Sequence, residues 1–153
     1  MSRRWNVRTG RLLLVAAVAA CSAGDPVGPT TAESEMAQFV GIWEAEVFRV
    51  TNDADTNQVA NLLLNEGSFT MNVEESGTYT ATLHFGGFPL VEIGKLSISA
   101  NFVTLRPNGG DPATSEFVFQ RQDYLVLDGP TDFDFNLDQI LDPAQGHIEL
   151  QRR

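Results

Sequence analysis

Oxygen-bearing side chains recur at every second position in one stretch of this chain: Asp132, Asp134, Asn136 and Asp138. Carboxylate and carboxamide oxygens at that spacing are the raw material of a calcium loop. Such loops need a glycine at their sharp bend, and Leu137 stands where it would help. The competing reading is a strand whose solvent face carries all four, with Phe133, Phe135 and Leu137 turned inward, and the alternation favours it. The two histidines are His84 and His147. No cysteine or second histidine is spaced to share a zinc ion with either, so no metal site is expected. Ser68, Ser76, Ser97, Ser99 and Ser115 have simple turn or strand roles. No nucleophile elbow, glycine-rich phosphate loop or catalytic carboxylate pair stands out, so the chain reads as a non-enzyme without a cofactor.

Whatever these residues do, strands must position them. Thr30 and Glu33 have the spacing of a capping box and predict a short helix over 31–38. Trp43, Ala45 and Val47 then alternate with Glu44, Glu46 and Phe48, which predicts a half-buried strand over 41–51. A polar loop opens at Asn52; Val59, Leu62 and Leu63 follow at helical spacing and allow a helical turn. Phe69, Met71 and Val73 alternate with polar residues, Glu75-Ser76-Gly77 turns the chain, and Tyr79, Ala81, Leu83 and Phe85 alternate again. Gly86-Gly87-Phe88-Pro89 closes that hairpin. Further strands are expected at about 90–99, 101–106, 115–121, 123–128, 131–136 and 147–152. Asn108-Gly109-Gly110-Asp111-Pro112 and Asp128-Gly129-Pro130 read as turns. No segment after residue 65 reads as a long amphipathic helix. Eight or nine strands on short links must be antiparallel, and closing them into a small up-and-down β-barrel hides their edges. The fold class is therefore all-β.

Composition narrows the function. The chain has 153 residues, room for one domain, with 10 basic and 20 acidic side chains. Four of the basic ones, Arg3, Arg4, Arg8 and Arg11, fall in the first twenty residues, where there is no acid. Setting those four aside leaves six basic against 20 acidic, a net charge of about −14. A domain so acidic repels nucleic acid and anionic lipid head groups, so nucleic-acid binding is excluded. The 10 phenylalanines all lie after position 38 and can supply the core without a disulfide, which a single cysteine could not form.

The arginine-rich start is followed by Leu12-Leu13-Leu14-Val15-Ala16-Ala17-Val18-Ala19-Ala20, too short a run to span about 30 Å of hydrocarbon as a permanent helix. Residues 1–20 read as a signal peptide. Ser2-Arg3-Arg4 is not followed by the rest of a twin-arginine pattern, so general secretion is expected. Val18-Ala19-Ala20-Cys21 resembles the lipobox of bacterial lipoproteins. The resemblance implies cleavage before Cys21, acylation of Cys21 and attachment to a membrane through that lipid; two or more chains anchor stably where one does not. The Gly- and Pro-rich residues 21–32 read as a flexible tether. Ser22, rather than an aspartate, implies sorting to the outer membrane if the cell has two membranes.

Gly41-Ile42-Trp43 opens the first strand directly after the short helix, and the chain ends Ile148-Glu149-Leu150-Gln151-Arg152-Arg153. This arrangement resembles the lipocalin superfamily, especially bacterial lipocalin-like lipoproteins, over residues 33–153. The resemblance implies a barrel whose floor is closed by Gly41 and Trp43, with Arg152 packed over the tryptophan; Thr131-Asp132-Phe133 echoes a further family motif. The C-terminal helix and disulfide of larger lipocalins are missing. An eight-stranded barrel is either filled by its own side chains or holds one small molecule. The set expected to face such a molecule includes Val47, Phe69, Met71, Tyr79, Leu83, Phe85, Phe117 and Phe119. Two functions follow: binding of a small apolar or amphipathic molecule, or a cell-envelope protein-interaction module with a solid core and an unknown protein partner.

Overall fold

The computed structural model describes residues 31–64 and 66–153. The expected signal peptide, Cys21 and the tether as far as Thr30 lie outside the described residues. Helix α1 (Thr31–Phe39) leads into β1 (Gly41–Asn52), β2 (Val59–Asn61), β3 (Ser68–Val73), β4 (Thr78–Phe85), β5 (Phe88–Ser99), β6 (Phe102–Pro107), β7 (Ala113–Arg121), β8 (Tyr124–Phe133) and β9 (Asp142–Arg152). The strands form one sheet in the order β2-β1-β3-β4-β5-β6-β7-β8-β9, and β9 pairs back onto β1. Every pairing is antiparallel. Eight strands thus close an up-and-down barrel, as the sequence predicts. The extra strand, β2, pairs with Arg49–Thr51, beyond the Gly41–Glu44 segment that β3 covers on β1.

Three local expectations fail. The segment around Val59–Leu63 is not a helical turn: Val59–Asn61 is strand β2 and Leu62 is a buried core residue. A free stretch of β1 edge offers ladder hydrogen bonds, and those override weak helical spacing. Asp128-Gly129-Pro130 is not a turn either, because β8 runs through it as one strand paired with β9 from Tyr124↔Gln151 to Phe133↔Asp142. The Gly-Pro pair instead marks where β8 leaves its other neighbour, since the β7–β8 ladder stops at Glu116↔Asp128. Proline has no N–H to give that lost ladder, and a Cβ on Gly129 would sit 2.5 Å from the Ser115 hydroxyl. Finally, the strand expected over 131–136 ends at Phe133. Asp134, Asn136 and Asp138 lie in the following loop, where their oxygens accept hydrogen bonds from the N–H groups of Asp138, Gln139 and Ile140 at 2.8–3.2 Å. Local side-chain caps of this kind compete with a ladder, and Leu137 and Gln139 take positive φ to accommodate them. Leu137 is exposed rather than inward.

Because the strands alternate in direction, the barrel has two unlike ends. Helix α1, the tight turns after β3, β5 and β7, and the C-terminus share one end, the floor. The longer loops after β1, β6 and β8 and the turn after β4 ring the other, the mouth. The floor is packed solid. Trp43, Tyr79, Met71, Phe39, Leu125 and Leu150 are all essentially sealed from solvent there. Phe39, the last residue of α1, plugs the end and meets Phe117 and Phe119 edge-on at 4.9 and 5.1 Å. The Trp43 indole N–H donates to the Phe39 carbonyl at 2.7 Å. The Arg152 guanidinium lies 4.5 Å from the Trp43 ring centroid and donates to the Gln38 carbonyl. Cation over ring is worth about 0.5–2 kcal/mol. Gly41 lets the arginine in: its φ is +134°, where side chains are strained, and Arg152 methylenes pass 3.6 Å from where a Cβ would be.

Trp43→Ala should destabilise the domain by about 3–5 kcal/mol. Urea denaturation followed by circular dichroism measures it; a loss below about 1 kcal/mol would mean that the floor does not depend on the indole.

Candidate functional site

The inward positions change size along the barrel. Those near the floor carry large side chains. Those nearer the mouth carry Ala81, Ala113, Ser115, Gly129 and Gly146, and this shortage of side-chain volume leaves a cavity of about 460 Å³. Phe48, Phe69, Leu83, Leu105, Leu127 and Ile148 supply most of its apolar wall. Phe48 and Phe69 meet edge-on at 5.4 Å on the β1–β3 side. Across the mouth, Phe85 from β4 and Phe133 from β8 approach to 6.1 Å. Those strands stand opposite one another in the closed barrel, so the two rings bridge its rim. Leu90, Glu92 and Ala113, also in the lining, are exposed and mark an opening on the β5–β7 side.

Of the residues expected to face a ligand, Phe69 and Leu83 line this cavity. Met71 and Tyr79 are inward but consumed by the floor, and Phe117 and Phe119 pack against the same cluster. Phe85 sits at the rim. Val47 is a correction: the β1–β9 register shifts between Ala45 and Val47, which turns Val47 to the outer side opposite Glu149 and brings Phe48 inward opposite Ile148. A bulge inverts the alternation beyond it. The doublet Val47-Phe48, two apolar residues in succession, is the sequence signal of that inversion.

Sequence reasoning also missed Glu92. On β5 the even residues pair with the inward residues of β4, Leu90 with Leu83, Glu92 with Ala81 and Gly94 with Tyr79, which places Glu92 on the interior face. Glu92 accepts a hydrogen bond from the hydroxyl of buried Tyr79. Burial, together with Glu92, pushes that phenol well above its ordinary pKa.

A second polar group lies outside the barrel. Across adjacent strands, Glu116 pairs with Asp128, Asp128 with His147, and His147 with Arg49. The imidazole Nδ1 is 2.6 Å from Asp128 and Nε2 is 3.1 Å from Glu149, which also accepts from the Tyr124 hydroxyl. Both ring nitrogens face carboxylates, so neither is free to serve as a catalytic base. His84 is on an exposed strand end. Among the described residues, no group of three or more His, Cys, Asp or Glu is gathered as a metal would require. No protein-family model matches the chain, and no curated protein matches it.

The His147 group gives a pH prediction. Burial opposes the charged ring, but hydrogen bonds and charge from Asp128 and Glu149 outweigh it and raise the pKa above its ordinary value. Folding therefore favours imidazolium. That stabilisation is whole below the unfolded pKa of about 6.5 and is lost as pH rises through the higher folded value. The melting temperature should step down across that interval in the native chain and not in His147→Gln. Parallel profiles for the two would contradict the assignment.

Proposed function

We propose that this protein is an exported, lipid-anchored, lipocalin-like binder that holds one small apolar or amphipathic molecule in the mouth half of its barrel. The observation that carries the reading is the division of the interior. Large side chains fill the floor, and the small residues above it leave about 460 Å³, inside the usual range for ligand pockets. The cavity weighs against the alternative of an interaction module with a solid core. Nothing in the polar groups favours catalysis, so the proposed role is binding without turnover. The Trp43–Arg152 stack at the floor supports the lipocalin comparison. Anchoring rests on Val18-Ala19-Ala20-Cys21 alone, with the lipid on Cys21 holding the protein to the cell envelope and the outer membrane favoured where there are two.

Gly146 offers the direct test. A Cβ there meets nothing closer than 3.5 Å, so a larger side chain enters the cavity without a backbone clash. Native mass spectrometry of the protein from its own host should find a co-purifying small molecule, and Gly146→Leu should lose it while keeping the native circular dichroism spectrum. A ligand retained by the folded variant, or none in repeated native preparations, would contradict the proposal. For the anchor, Cys21→Ser should move the protein from the membrane to the soluble fraction; continued sedimentation with membranes would contradict it.

A further inference from the structure

We propose that the cavity selects a cationic amphiphile, an alkyl- or arylalkylamine, whose ammonium group pairs with Glu92. This rests on the reading of the cavity as a ligand site and names the class of ligand. Glu92 is the only ionisable side chain among the lining residues, and no lysine or arginine lines the cavity to neutralise it. Ser115 and Thr131 are the other polar side chains of the wall. Glu92 makes no salt bridge among the described residues.

The carboxylate is also held in place. The Tyr79 hydroxyl donates to Oε1 from the packed floor, and Tyr79 itself is fully buried. One oxygen is thus tied from below, and Oε2 has no donor in the described structure. Glu92 thus stands at the open edge of the apolar wall, exposed and fixed from below, where its carboxylate offers a cation a charge-assisted hydrogen bond.

The mouth adds a second, independent argument. Its loops carry Asp53, Asp55, Glu66, Asp111, Asp134 and Asp138 and contain no lysine or arginine. A ring of one sign around a low-dielectric cleft raises the local concentration of the opposite charge and speeds its entry. A fatty acid would meet this ring and then Glu92 with a like charge. A volume of about 460 Å³ lies toward the small end of ligand pockets, which suits a short-chain or single-ring compound better than a diacyl lipid.

The test uses three probes that share a chain and differ in charge: octylamine, octanol and octanoate. Isothermal titration calorimetry is run on the full chain carrying Cys21→Ser, free of acyl groups and detergent. Octylamine should bind tightest and octanoate weakest. Glu92→Gln, which keeps the acceptor for Tyr79, should weaken octylamine by about ten- to a hundredfold and leave octanol unchanged. Octanol or octanoate binding as tightly as octylamine, or octylamine indifferent to Glu92→Gln, would overturn the charge selection and leave the apolar cavity standing. Octylamine binding that survives Gly146→Leu would place it outside the cavity and overturn the proposal. Failure of all three probes to bind would overturn the ligand site itself.

Discussion

The structure depends on how one indole is enclosed. Trp43 sits where β1 and β9 meet to close the cylinder, opposite Arg152 in the register. Its N–H is satisfied by the last turn of α1, its face is covered by the guanidinium, and the Phe119 ring lies tilted beside it at 6.0 Å. Helix, first strand and last strand are tied at a single point, so elements more than a hundred residues apart in sequence become neighbours. Trp and its aromatic neighbours supply the large buried area that a disulfide-free domain of this size needs. The Arg152 Nε is buried without a hydrogen-bond partner, while the same guanidinium lies over the indole and donates to the Gln38 carbonyl.

With the floor sealed, the mouth half need not contribute as much packing. Ala81, Ala113, Ser115, Gly129 and Gly146 occupy positions where large residues would have extended the core. The strands there are also less tightly joined: β8 gives up its β7 ladder at Gly129-Pro130 but keeps β9 throughout. Stability is concentrated at one end, and the volume and the unpaired backbone at the other. Such a division lets an eight-stranded barrel, which its own side chains can fill, retain space for a small molecule.

Period-two alternation from Trp43 onward was enough to read the barrel, the strand directions and most inward residues, because a half-buried antiparallel strand has no other way to arrange its side chains. The approach of Arg152 to Trp43 past Gly41 lies outside anything the alternation specifies. What escaped were places where local signals compete with the ladder. Gly129-Pro130 reads as a turn unless the partner strands are known. Asp134, Asn136 and Asp138 alternate as a strand does but satisfy loop N–H groups instead. Val47 lost its inward place to a bulge. Glu92 was hidden because Val91 and Ile93 look like the buried set, and only pairing with β4 reveals which parity faces in. A cavity is harder still to read, since it is a deficit of volume shared by residues from several strands.

The central claim is that the interior is solid below and hollow above. Methyl-resolved NMR during titration with octanol tests it most directly. The account predicts shifts at the methyls of Leu83, Leu105, Leu127 and Ile148, with Val73, Leu125 and Leu150 unmoved. Equal shifts at both ends of the barrel, or shifts confined to outward methyls such as Ile93 and Val118, would contradict it.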